Sequence, residues 1–258
     1  MSLNNINTIR TGPRGGTPVV LVHAVGMDLN LWRPQIEALH KDYDVIAFDI
    51  PGHGLSDRLQ GELSFAKFSA VLVQIIESLE AGPVNLVGIS FGGMIIQTLA
   101  LERPELVNSL TLIGTACTFS DAVRVILKER AQFIRKEGMK GIAPLSLARW
   151  LTPEFSARRP DIVDWITKTL YQQDALVHAD LWDIISTMDT VSHLKKLSIP
   201  ALVIVGEKDT STPPSAANLL AQALKTTNLH SIPNTSHFTT LEAVEIFNDL
   251  LMNFFNSL

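Results

Sequence analysis

The chain is nearly without cysteine, long apolar runs or blocks of like charge, and each lack excludes a class of protein. Cys117 is the only cysteine in 258 residues. It cannot close an internal disulfide, and a cysteine-based zinc site needs more thiolates. No metal is therefore expected, and a reducing compartment, the cytoplasm, is the expected setting. The longest apolar stretches, such as Pro18–Val22 and Ala201–Val205, are strand-length, far below the roughly 20 residues that cross a bilayer, so no membrane span is expected. Met1-Ser2-Leu3-Asn4-Asn5 has no basic segment leading into an apolar one, so no secretory leader is expected there. Net charge is −5 and like charges do not run together, which argues against a nucleic-acid partner. Repeats, low-complexity tracts and a glycine period are also missing.

What remains suits a folded chain. Apolar residues make up 46% and charged residues 18%, enough to fill the core of one large domain. Short apolar runs alternate with helical patterns, which predicts a mostly parallel sheet covered on both faces. The candidate strands are Pro18–Val22, Asp44–Phe48, Val84–Ile89, Ser109–Ile113, Ala201–Val205 and Leu229–Ile232. Phe65, Phe68, Leu72, Ile75, Ile76 and Leu79 recur at spacings of three and four, the apolar face of a helix ending before Gly82-Pro83. A second helix is predicted after Ser90, with Met94, Ile95, Thr98 and Leu99 inward. A third starts near Pro213-Pro214 with Thr212 as its cap, and a last one runs from about Leu241 to Phe255. From Phe119 to His193 the alternation stops. This stretch reads as helices only, broken at Gly138, Gly141, Pro144, Pro153 and Pro160, and it holds Trp150, Trp165 and Trp182 of the four tryptophans.

The sharpest chemical signal is Gly88-Ile89-Ser90-Phe91-Gly92-Gly93, where a strand ends and a helix begins. Gly-x-Ser-x-Gly sets a serine on a tight turn, its hydroxyl exposed at the sheet edge and its glycines allowing close backbone approach. By chance a chain like this would hold about 0.06 such matches. A serine hydroxyl attacks only when a base takes its proton, and the base needs an acid to orient it. The partners are expected in the order acid, then histidine. Asp209 follows the strand Ala201–Val205, and His237 follows the next strand in Asn234-Thr235-Ser236-His237-Phe238. Glu207 is the rival acid. The blander readings, Asp209 opening a turn and His237 capping a helix, do not explain the combination.

The oxyanion of a tetrahedral intermediate needs donors. Phe91 supplies the N–H after the nucleophile, and His23-Ala24-Val25-Gly26 supplies the second, with Val25 N–H the expected group. His23 reads as a loop residue. Asp49 through Asp57 is a glycine-rich bend without the Lys-Ser/Thr of a phosphate loop, so it and His53 read as structural. Cys117 reads as a small buried residue.

Taken together, His23–Gly26, Asp49–Asp57, Gly88–Gly93, Asp209 and His237 resemble the α/β-hydrolase superfamily over essentially the whole chain. The resemblance implies an α/β fold with an eight-stranded, mostly parallel sheet and helices on both faces. It also implies no cofactor and a helical cap at residues 119–193 between strands six and seven, with residues 1–118 and 194–258 forming the core domain. Glu137-Gly138-Met139 and Ala148-Arg149-Trp150-Leu151-Thr152-Pro153-Glu154-Phe155 make the chain similar to 3-oxoadipate enol-lactonases and small carboxylesterases. Two departures stand out. His23-Ala24 replaces the usual His-Gly, and the loop differs from the Asn-Ser-Leu-Gly form frequent in enol-lactonases.

The expected function is a serine hydrolase acting on a small-molecule carboxylic ester or lactone. Ser90 rather than an aspartate argues against the dehalogenase and epoxide-hydrolase relatives. Carbon–carbon hydrolases of ring-cleavage products, acyltransferases and perhydrolases share the triad, and a ligand receptor on the same shell belongs to a different class. The expected substrate-facing residues of the cap are Trp150, Phe119, Phe155, Trp182 and Met188. Arg149 would pair with a carboxylate on an acidic lactone.

Overall fold

The computed structural model describes residues 5–258. The leader expectation, which concerns residues 1–5, falls outside the described residues except at Asn5. Seven strands form one sheet: β1 (Thr8–Thr11), β2 (Val19–Val22), β3 (Val45–Phe48), β4 (Val84–Ile89), β5 (Val107–Ile113), β6 (Ala201–Gly206) and β7 (Leu229–Ile232). Their order is β1-β3-β2-β4-β5-β6-β7. β1 pairs antiparallel with β3, and every other pairing is parallel. β2 and β4 are buried along their whole length, as strands covered on both faces must be.

The eight-stranded expectation is corrected to seven among the described residues. β1 and β7 are the two edges of the sheet, and no further strand pairs with either among the described residues. β1 itself is missed by the apolar-run reading because Thr8–Thr11 is half-exposed and has a single aliphatic residue. With seven strands, the helical insertion follows the fifth strand and precedes the sixth, not the sixth and seventh.

Helices α1 (Arg33–Leu39), α2 (Phe65–Ser78), α3 (Phe91–Glu102), α9 (Pro214–Leu224), α10 (Thr239–Glu242) and α11 (Val244–Asn256) belong to the sheet region. Helices α4 (Asp121–Trp150), α5 (Pro153–Arg158), α6 (Pro160–Tyr171), α7 (Ala175–Ile185) and α8 (Val191–Leu194) lie between β5 and β6. α2 is capped by Ser64, whose hydroxyl accepts from Lys67 N–H, and it buries Phe68, Leu72, Ile75 and Ile76. α4 bends sharply at Gly138, where φ is +67°; Gly141 and Pro144 do not end it. Pro144 falls within the first two turns after the bend, so it removes only one backbone bond there. Thr212 does not cap α9. Its hydroxyl donates to Asp209 instead, and Pro213 precedes the helix. The expected last helix is two, divided at Ala243 (φ −136°, ψ 57°). No helix of the described residues is long and apolar enough to cross a membrane.

Candidate active site

Ser90 stands between β4 and α3 with φ +54° and ψ −117°, a conformation costing a non-glycine residue about 1–3 kcal/mol. Three contacts hold it there. Its N–H donates to Ile113 O at 2.9 Å, its carbonyl accepts from Met94 N–H, and Thr115 Oγ1 donates to the same carbonyl at 2.7 Å. The flanking glycines are dictated by space. A Cβ on Gly88 would stand 2.7 Å from the Gly92 backbone, and one on Gly92 would stand 2.2 Å from Val22 O. The same crowding presses the first turn of α3 against the chain leaving β2.

His237 and Asp209 are each 2% exposed, and His237 Nδ1 lies 2.8 Å from Asp209 Oδ2. Asp209 Oδ1 accepts the N–H groups of Ser211 and Thr212, at 2.7 and 3.0 Å, and Thr212 Oγ1 donates to Oδ2. Burial alone would push the Asp209 carboxyl up. The charge and hydrogen bond of His237 and the N–H groups of Thr212 and Ser211 outweigh it, and the carboxyl stands below its ordinary value. The ring nitrogen left over on His237 is Nε2. Glu207 is turned elsewhere, accepting Asn234 N–H at 2.9 Å on the surface.

The pair meets the serine turn at Gly114, a residue that sequence reasoning misses. Gly114 follows Ile113, the anchor of Ser90 N–H, and has φ +45°. A Cβ there would stand 3.1 Å from His237 Nδ1 and 3.3 Å from Asp209 Oδ2. A glycine at the end of an apolar strand is the only local signal.

The loop after β2 is fixed by histidine pairing. His23 is fully buried, with Nδ1 2.8 Å from Ala24 O and Nε2 accepting Ile50 N–H. His53 Nε2 accepts Gly26 N–H at 3.0 Å. Burial lowers His23 to about 4. Burial and then the neighbouring His23 lower His53 to about 3. Both are therefore neutral structural rings near pH 7. Asp49 knots the next bend, accepting from Leu29 and Leu55 N–H and from Asn7 Nδ2. Among the described residues the N–H groups of Val25 and Phe91 donate to no protein acceptor, so both remain free for an oxyanion. Burial pushes the Cys117 thiol up to about 11, leaving it unreactive at neutral pH.

The insertion residues divide into two groups. Trp150 reaches the site: its ring lies 4.9 Å from that of Phe238, and its carbonyl accepts Phe238 N–H. Arg149 is half-buried beside the acid loop, its Nη2 donating to Thr210 O at 3.4 Å and its carbonyl accepting Ser236 Oγ. Burial lowers the Arg149 guanidinium, against the opposing pull of Asp209. Trp182 is buried and donates Nε1–H to His178. Phe155 and Met188 are buried and Phe119 is partly buried against the core. Arg124 binds the carbonyls of Phe119 and Met188, and Arg158 lies over the Phe155 ring. Glu242, also missed, staples the His237 loop to the insertion: one carboxylate oxygen accepts Thr152 N–H and Oγ1–H, the other Ser236 N–H. Its insertion partner Thr152 is 90 residues away, so no local pattern reveals the staple. Two surface clefts, of about 470 and 490 Å3, include none of these residues.

Comparison with known proteins agrees with this architecture. Residues 17–139 match the family described as alpha/beta hydrolase fold. The chain is 28% identical to 3-oxoadipate enol-lactonase 2 of Acinetobacter baylyi, over 94% of this chain and 90% of that protein. It is 29% identical to (E)-2-((N-methylformamido)methylene)succinate hydrolase of the same organism, over 97% and 95%. The crystal structure of the enol-lactonase from Burkholderia xenovorans LB400 superposes with a TM-score of 0.89 at 28% identity, covering 97% of this chain and 96% of that one. By the family match over residues 17–139 and by superposition, the chain has the α/β-hydrolase fold.

Proposed function

We propose that the chain is a serine hydrolase that opens a carboxylic ester or lactone through an acyl-enzyme, with Ser90, His237 and Asp209 as its triad. One observation carries the reading: the His237–Asp209 pair is buried against Gly114, one residue beyond the carbonyl that anchors the strained Ser90 turn. Asp209 holds Nδ1 of the imidazole, so Nε2 faces the nucleophile as the base. His237 Nε2 takes the Ser90 proton as Oγ bonds to the acyl carbon. The Val25 and Phe91 N–H groups take up the charge on the carbonyl oxygen. His237 then returns the proton to the leaving oxygen and draws one from the water that releases the acid. No step calls for a cofactor.

Similarity to two enol-lactonases supports a lactone or an activated ester as substrate, and Arg149 beside the acid loop supports an acidic one. A cytoplasmic setting is supported by the single buried thiol of Cys117. The test is turnover of p-nitrophenyl acetate and a panel of enol-lactones by the wild-type chain and Ser90→Ala. Wild-type turnover with a loss of several orders of magnitude in the variant is expected at unchanged melting temperature. More than about a tenth of wild-type activity in Ser90→Ala would remove Ser90 from its role.

A further inference from the structure

His178, on α7 of the insertion, is a buried imidazole that the triad chemistry does not use. It is 1% exposed. Its Nε2 lies 3.1 Å from Trp182 Nε1, and an indole nitrogen only donates. Nε2 must therefore accept, which puts the ring proton of neutral His178 on Nδ1. Nδ1 has no partner among the described residues. Burial, followed by the neighbouring His53 and Arg130, lowers His178 to about 3, so the ring is neutral at working pH and Nδ1–H is a fixed donor. An unpaired donor in so dry a place costs about 1–3 kcal/mol.

The position of the ring gives that cost a purpose. A Cβ on Gly26 would stand 2.9 Å from His178 Cε1, 2.9 Å from Leu170 Cδ2 and 3.5 Å from Trp150 Cη2. Gly26 directly follows Val25, the oxyanion donor of the proposed mechanism, and its own N–H is already given to His53. The insertion thus places one neutral donor, with Leu170 and Trp150 beside it on this face, over the loop that would hold the scissile carbonyl. On the polar side of the ring, the Trp182 indole is fixed beneath the Arg130 guanidinium, 4.3 Å from its centroid.

We propose that His178 is a specificity-determining residue whose Nδ1–H donates to a second oxygen of the acyl group, a neutral keto, ether or hydroxyl oxygen a few atoms from the scissile carbonyl. A neutral donor among Leu170 and Trp150 suits a neutral acceptor, because a carboxylate buried there would need a cation or several donors. The assignment rests on the hydrolase reading, and its test separates the two. His178→Gln keeps an acceptor for Trp182 Nε1–H and removes the Nδ1 donor, whereas His178→Asn restores a donor near that position. Substrates are p-nitrophenyl butyrate and its isostere p-nitrophenyl methoxyacetate, with p-nitrophenyl levulinate as the keto probe and mono-p-nitrophenyl succinate as the charged one.

His178→Gln is expected to lower kcat/KM on the methoxyacetate or levulinate ester about fivefold or more relative to butyrate, mainly through KM, with partial rescue in His178→Asn. The intrinsic reactivities of the esters cancel in this ratio of ratios. Equal losses on every ester, or none, would overturn the assignment. So would a loss confined to the succinate, which points to a charged partner instead. Binding of the same esters to Ser90→Ala and to Ser90→Ala/His178→Gln, read by calorimetry, decides the matter without turnover. A wild-type chain that hydrolyses none of the esters refutes the hydrolase reading, while the binding ratio still decides for or against His178.

Discussion

The carboxyl edge of the sheet and the helical insertion above it differ in how they bury their charged groups. At the sheet edge the charged groups and His23 are paired: His23 uses both nitrogens, Asp49 accepts three donors, and Asp209 accepts two N–H groups, a hydroxyl and His237, while His53 Nδ1 and the hydroxyls of Thr239 and Thr240 have no partner among the described residues. In the insertion, Arg130 Nε and His178 Nδ1 are buried without partners, and Arg149 meets only a distant carbonyl. A fully paired polar group fixes geometry, whereas an unpaired buried donor is expensive and waits for an acceptor. On the proposed mechanism, bond-breaking belongs to the sheet edge and choice of substrate to the insertion. Sheet-edge changes should lower kcat on every ester, and insertion changes should raise KM on some.

The largest expected effect is at the acid. Asp209→Asn lets the imidazole adopt the wrong tautomer, and kcat on any ester should fall about 10⁴-fold. Glu207→Gln, which touches only Asn234, should change it little. Steady-state kinetics of both variants checks this, and the reverse ranking would move the role to Glu207. Next is Gly114→Ala, which forces a methyl against His237 at a positive φ. A displacement of under 1 Å should cost about 10–100-fold in kcat, equally across substrates, with circular dichroism showing a retained fold. A loss selective for one substrate would blur the division between the two regions.

Arg149→Ala addresses the other side. KM for a carboxylate-bearing lactone should rise about tenfold, from roughly 1.5–3 kcal/mol for a charged hydrogen bond, while short neutral esters are hydrolysed as before. Equal losses on both would mean that Arg149 only packs the insertion.

The last effect is on stability against pH and not on rate. His23, His53 and His178 are lowered in the folded chain to about 4, 3 and 3 from an ordinary 6.5, burial being the first cause in each. Between these values the unfolded chain binds the extra protons, so stability is full above about pH 6.5 and is lost as pH falls towards 4. Each ring contributes up to about 1.4 kcal/mol per pH unit. Melting temperatures between pH 7.5 and 4.5 should fall accordingly, and His178→Gln should flatten the slope. A flat profile in the wild-type chain would show that these rings are not held neutral.

The same division explains what is legible in the sequence. Sheet-edge residues announce themselves locally: Gly88-x-Ser90-x-Gly92 is a turn that only small residues permit, and Asp209 and His237 each follow an apolar run that ends at the sheet edge. Five apolar runs mark the buried strands and a sixth marks β7, but β1 escapes because an exposed edge strand needs no apolar pattern. In the insertion, helical spacing and the break at Gly138 are readable, yet a helix face says nothing of which residue it meets. Trp182 and Trp150 read alike in sequence; only contact shows that one is tied to His178 and the other to Phe238. Glu242 reaches Thr152, and Gly114 reaches Asp209 and His237, each about 90 or more residues away, through contacts that appear only once the chain is folded.

The most direct test of the central claim is covalent capture. The wild-type chain, Asp209→Asn and His237→Ala are treated with a fluorophosphonate and digested, and the Ser90 peptide is read by mass spectrometry. A single adduct on Ser90, formed quickly in the wild-type chain and orders of magnitude more slowly in both variants, is the predicted result. An unmodified Ser90, or one labelled equally fast without His237, would contradict the account.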